Sequence, residues 1–383
     1  MNRIYLYLVL AASVSALATD MIVPALPDLQ KVFQVDYSLI QLSISGFLIV
    51  YAISQLCVGF LGERLGKIKT ITAGFIIFSA GSLLCFMAKD IYLLMAGRFI
   101  QAVGAGAGPV LSRAIAKDSF PADRLKKALS DISSASAVVP LLAPLAGGAM
   151  LGYVSWNYIF LTMFIFGVIT VIIAPKNLPA AKEIAEEDNG SFLTKEFFSG
   201  TALVSLILSS LFCFITLTPV IFIENLKFTP FQYSLVFSIS VLFFIAGNQA
   251  SKVNAFTNPF LLFGVNVLSL FPLIIGEAEP VLYIISAILF NFTLGAYYPI
   301  AHFTALQIKG KKTGIASSLT GFTQTVCAGL ISYCVTKSTS FGIGFEKVMG
   351  ISGLSLAVLS LLVVSYLRRA KCRTGKETKL RNP

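Results

Sequence analysis

Hydropathy constrains this chain more than any motif does. Long apolar runs, each close to the ~20 residues that span a bilayer as a helix, recur from residue 4 to residue 367 with short polar punctuation. They read as spans near 4–26, 37–60, 70–88, 92–115, 128–152 and 155–174. A second set lies near 199–223, 232–250, 258–275, 280–305, 313–336 and 342–367. The runs are too long and too evenly apolar for the short alternating strands of a membrane barrel. Only 12% of the 383 residues are charged, against roughly 25% in a soluble domain. A soluble enzyme, a disordered chain and a nucleic-acid binder are excluded on that ground. The expected class is an all-α membrane protein with twelve transmembrane helices.

The net charge of +11 fits a membrane protein whose cytoplasmic loops carry the Lys/Arg excess. Of the 29 lysines and arginines, all but Lys31, Lys89, Lys227, Lys337, Lys347 and the intraspan Arg98 fall on one side of this topology. Both termini are therefore expected in the cytoplasm. The polar stretch from Pro175 to Glu196 divides six spans from six. The domain reading is an N-terminal half at 1–174, a linker at 175–198, a C-terminal half at 199–367 and a basic tail at 368–383. An echo joins the halves: Gly106-Ala107-Gly108-Pro109 in the fourth span and Gly295-Ala296-Tyr297-Tyr298-Pro299 in the tenth. Two parallel six-span repeats around a midplane site are a known transporter plan.

The six cysteines form no CxxC pair and the chain has one histidine. They read as small apolar fillers, and no metal or cofactor is expected. Ionisable residues inside spans are functional candidates, because burying them is expensive. Asp20 and Arg98 each lie about six residues from the outer end of their spans, roughly 9 Å deep at 1.5 Å per residue. At matching depth they are expected to neutralise one another. Burial disfavours an ionised carboxyl and a nearby cation favours it, so movement of Arg98 relative to Asp20 would load or release a proton. Glu224, Glu277 and Glu279 read as solvated in outer loops, Asp131 as a helix-start residue and His302 as near the cytoplasmic end of the tenth span.

Between the second and third spans runs Gly59-Phe60-Leu61-Gly62-Glu63-Arg64-Leu65-Gly66-Lys67-Ile68-Lys69. It resembles the G-x-L-a-D-R-x-G-R signature of the major facilitator superfamily, with Glu63 where Asp is usual. The resemblance implies a cytoplasmic gate built from Gly59, Glu63, Arg64, Gly66, Lys67 and Asp118. Arg98-Phe99-Ile100-Gln101-Ala102-Val103-Gly104 resembles the fourth-span antiporter pattern R-x-x-Q-G-x-G, with Ala102 for a Gly. Pro140-Leu141-Leu142-Ala143-Pro144-Leu145-Ala146-Gly147-Gly148 is similar to the fifth-span antiporter motif. The usual following Arg is here Asn157. Thr19-Asp20 through Pro24-Ala25-Leu26-Pro27 resembles the T-D-x-x-x-P-A-L-P stretch of the first span, and Gly314-Ile315-Ala316-Ser317-Ser318-Leu319 the opening of the eleventh. Taken in order, these resemble the bicyclomycin- and chloramphenicol-resistance branch of drug:proton antiporters.

That resemblance implies the major facilitator fold, with two pseudo-symmetric six-helix halves, and no enzymatic activity. It implies proton-coupled efflux of small amphipathic compounds across a bacterial inner membrane by a monomer. The partners expected are a small-molecule substrate, protons and lipid, with no nucleic acid. Tyr51, Gln55, Gln101, Phe214, Asn291, Tyr297, Tyr298 and Gln324 are expected to line a mostly apolar cavity with a few polar groups. A siderophore or metabolite transporter of the same fold, exporting or importing, answers to the same motifs. A membrane-embedded enzyme would need clustered acids or histidines, and the sequence offers none.

Overall fold

The computed structural model describes residues 3–119, 138–175, 194–251, 263–269, 279–305, 313–341 and 344–351, with 353, 354, 358 and 361. Every regular element among them is helical. In order they are α1 (Arg3–Asp20), a 3-10 turn (Val23–Ala25), α2 (Leu26–Phe33), α3 (Tyr37–Leu65), α4 (Lys67–Phe86), α5 (Ile91–Ala105) and α6 (Ala107–Ser119). Then follow α7 (Val138–Met150) and α8 (Asn157–Ile172). The later elements are α9 (Lys195–Pro219), a π-helical turn (Val220–Asn225), α10 (Pro230–Ala250), α11 (263–269), α12 (Pro280–Ala305) and α13 (Thr313–Lys337). Seven of the described helical segments are long and apolar enough to cross a membrane. Residues 128–137 of the fifth span, with Asp131, and 176–193 of the linker lie outside the described residues.

Two spans expected to be continuous are broken. The first ends as α1 at Asp20, and the chain turns through Val23–Ala25 before α2 begins. Pro24 and Pro27 cause this, since neither can donate the backbone bond a continuing helix needs. The fourth span divides at Gly106 into α5 and α6, where Gly104, Gly106, Gly108 and Pro109 weaken the ladder. Many hydroxyls elsewhere are absorbed within their own helices. Ser79, Ser82, Thr170, Ser205, Ser209 and Thr304 each donate to the carbonyl four residues back. This satisfies them where water is absent.

The chain forms two compact units. The first holds residues 1–186 with 218–239, and the second 187–217 with 240–383. In the first, α4 packs against α5 and α8, and α3 against α5. The antiparallel α4–α5 contact is built on facing glycines. A Cβ on Gly81 would meet Gly97 O at 2.7 Å, and one on Gly74 would meet Gly104 O at 3.0 Å. Bare backbones in close approach are how membrane helices pack without a hydrophobic drive. In the second unit the same device joins α10 to α12: a Cβ on Gly247 or Gly295 would strike the carbonyls of Phe292 and Phe244.

Candidate functional site

Asp20 and Arg98 are the only buried charged side chains among the described residues, at 6% and 1% exposure. The expected ion pair between them is absent. Asp20 Oδ1 accepts a hydrogen bond from Thr19 Oγ1 at 2.9 Å. Arg98 Nη1 instead donates to Ala18 O at 2.9 Å and to Gln101 Oε1. The break at Asp20 explains the substitution. A helix C-terminus presents carbonyls without partners and the negative end of its dipole, and Arg98 docks on that end two residues before the acid.

The rest of the guanidinium lies on aromatic rings. Its central carbon stands 4.3 Å from the Phe47 centroid and 6.0 Å from that of Phe160. Nε and Nη2 reach no hydrogen-bond partner among the described residues. Gln101 completes the nest, and its Nε2 donates to Ser82 Oγ at 2.8 Å. Expected as a cargo contact, Gln101 is fully buried with both ends of its amide engaged. It positions Arg98. Phe47 had no sequence signal, because a platform for a cation looks like any other core aromatic.

Tyr51 stacks on Phe47 with centroids 6.0 Å apart, and its hydroxyl reaches Ser15 and Gln55. The second-unit candidates are placed among themselves. Phe214 stacks on Phe290 at 5.8 Å. Asn291 is buried and donates to Ala287 O on its own helix, while its Oδ1 and Gln324 Oε1 reach no donor among the described residues. Tyr297 is buried. Tyr298 meets Phe244 and His302 edge-on at 5.7 and 4.5 Å.

The fifth-span motif serves two neighbours at once. A Cβ on Gly147 would strike Met21 O beside the α1 break, and one on Gly148 would strike Ser234 Oγ of α10. Further back along α7, between Pro140 and Pro144, Leu141 O accepts from Ser238 Oγ at 2.7 Å. The motif therefore lies between α1 and the part of α10 that belongs to the first unit.

The gate segment is more helical than a loop. Gly59 and Gly62 sit inside α3, and the only turn residue is Gly66, at φ +93°. No atom lies within 4 Å of a Cβ built at Gly59, whereas one at Gly62 would strike Leu111. Arg64 lies over Phe60 at 4.2 Å. Lys67 opens α4. The side chains of Glu63 and Asp118 lie outside the described residues.

Two interactions escaped sequence reasoning. Glu224 is not a solvated loop acid: it sits on the π-turn and pairs with Lys31 at 2.8 Å. Tyr233, buried in α10, shares a hydrogen bond with Thr218 at 3.0 Å and lies within electrostatic reach of Asp20.

Helices long and apolar enough to cross a membrane, with two buried charges beside a broken first span, are the features of a polytopic membrane protein. The chain belongs to the major facilitator superfamily, whose family model matches residues 8–333. It is 27% identical over 378 residues to an uncharacterized MFS-type transporter, YdgK, of Bacillus subtilis, covering 91% of this chain and 93% of that protein. It is likewise 27% identical to the multidrug resistance protein MdtL of Escherichia coli, covering 91% of each. Among solved structures it resembles the inward-open xylose transporter XylE of Escherichia coli, with a TM-score of 0.73 and 16% identity over 93% of this chain and 95% of that one. A bacterial homologue of the lysosomal transporter Spinster gives 0.74 at 12% identity over 96% of each. The protein is a multi-pass transporter with the twelve-helix fold of that family, built of two pseudo-symmetric halves.

Proposed function

We propose that the protein is a proton-coupled exporter of small amphipathic compounds, working by alternating access as a monomer. We place it in the bicyclomycin- and chloramphenicol-resistance branch of the drug:proton antiporters, with both termini in the cytoplasm. The observation that carries the reading is Asp20: an acid closed away from water at a helix break, with no cation in ion-pair contact among the described residues. A carboxyl so enclosed is costly as an anion and tolerable as a neutral acid. Exposure of Asp20 to one side or the other would therefore load and release a proton. Arg98, fastened to the Ala18 carbonyl, ties the same stretch of α1 to the fourth span, so rearrangement around cargo would reach the acid. Relatedness to MdtL, named for multidrug resistance, supports drugs as cargo.

The test is transport into inverted membrane vesicles driven by an imposed pH gradient, across a panel of drugs and metabolites. The wild type is expected to accumulate amphipathic drugs. Asp20→Asn should lose gradient-driven flux while still binding the drug. Gradient-driven flux at the wild-type rate in Asp20→Asn would overturn the assignment.

A further inference from the structure

The Lys31–Glu224 contact is the only ion pair among the described residues. It joins α2 to the π-turn that ends the seventh span. Glu224 is held there firmly. Leu226 N donates to Ile221 O at 3.0 Å and Phe228 N to Phe222 O at 2.9 Å. Phe222 packs edge-on against Phe228 at 5.5 Å. A reciprocal cap follows, in which Thr229 N donates to Gln232 Oε1 and Gln232 N to Thr229 Oγ1, the geometry that fixes a helix start.

Lys31 also has an acid on its own helix. Asp28 lies three residues earlier in α2, a spacing at which side chains meet, and it is within electrostatic reach of both Lys31 and Glu224. One cation therefore has two anions to choose between. Glu224 is available only while the ends of the seventh and eighth spans lie against α2; Asp28 is available always.

We propose that Lys31 is an exchanging clasp of the outer gate. It holds Glu224 in the closed state and falls back on Asp28 when the gate opens. The proposal rests on the alternating-access reading above. Lys31 is 64% exposed and Glu224 26%, so the pair contributes little to folding. Exposed pairs of this kind tilt an equilibrium by about twofold to fivefold. That suffices to bias two conformations of similar energy. Because Lys31 is never left without a partner, the closed state is held lightly.

The roles of the two acids predict opposite signs. With the six native cysteines replaced by alanine, cysteines at the exposed Val32 and Phe231 carry spin labels in liposomes. Their distance distribution reports the closed and open fractions. Glu224→Gln should raise the open-to-closed ratio about twofold to fivefold. Asp28→Asn should lower it by a similar factor, since Lys31 then has only Glu224. Lys31→Glu should open the gate, and adding Glu224→Lys should restore closure to the wild-type level or beyond. If Asp28→Asn and Glu224→Gln move the ratio in the same direction, or neither moves it, the exchange is wrong. No cargo is needed for this measurement, so a failure to transport drugs would fault the functional assignment and leave the clasp to be judged on distances.

Discussion

The contact of α3 with the α5–α6 junction in the first half and the α10–α12 contact of the second are built alike. In the first, a Cβ on Gly106 would meet Ser54 Cβ at 2.8 Å, and Ser54 Oγ donates across to Val103 O at 2.6 Å. In the second, Gly247 and Gly295 leave room only for the facing carbonyls. The polar contents differ. The first half buries Asp20 and Arg98; the described residues of the second bury amides and hydroxyls, such as Asn291, Asn266 and Thr293, and no charge. Close packing is thus common to both halves, while among the described residues buried charge is confined to the first. A repeat can keep its packing scaffold while the polar groups it buries differ from copy to copy.

The sharpest way to break this comparison is to remove one buried polar group from each half. Arg98→Ala strands Ala18 O and Gln101 Oε1, each costing about 1–3 kcal/mol. The melting midpoint in detergent should fall markedly. Asn291→Leu removes an amide whose Oδ1 already lacks a donor among the described residues. Its midpoint should stay level or rise, although transport should suffer. Equal destabilisation by the two would mean that the second half relies on its polar core as heavily as the first.

Smaller changes test what the halves share. Gly104→Ala drives a Cβ into Gly74 O, and Gly295→Ala drives one into Phe244 O. Overpacking of this kind costs about 1–3 kcal/mol, and thermal denaturation should show similar losses for both. A silent substitution on either side would show that its seam can relax.

The mildest change concerns Gln324, whose Oε1 also lacks a donor among the described residues. Gln324→Leu should alter stability by no more than about 0.5 kcal/mol, as is usual away from engaged networks. If the amide touches cargo in the ground state, KM should rise while kcat holds. An unchanged KM would remove Gln324 from the binding surface.

The all-helical class and the rarity of Asp20 and Arg98 were legible because hydropathy and intramembrane charge are properties of letters. Arg98's partner was not. Matching depths suggested Asp20, a comparison that assumes unbroken helices, and the acceptor turned out to be a backbone carbonyl freed at the break. Carbonyls have no letter in a sequence. Pro24 marked the break, yet an apolar run conceals a turn made of apolar residues. Glu224 was misplaced for a related reason: the helix continues past Pro219 as a π-turn, carrying into a paired position an acid that composition assigned to a loop. At Gly147 and Gly148 the motif was visible, but the helices each glycine serves depend on tertiary placement alone.

The π-turn over Val220–Asn225 has a mechanical meaning of its own. Such a turn closes on the fifth residue back, where an α-turn closes on the fourth, so it stores about one residue of surplus chain. Released into regular winding, that surplus would swing the following residues around the helix axis by about 100° while the membrane-buried length of α9 stayed where it was. The seventh span thus carries its own slack, like a coil of spare rope at the mooring end, and Glu224 is tied to the rope.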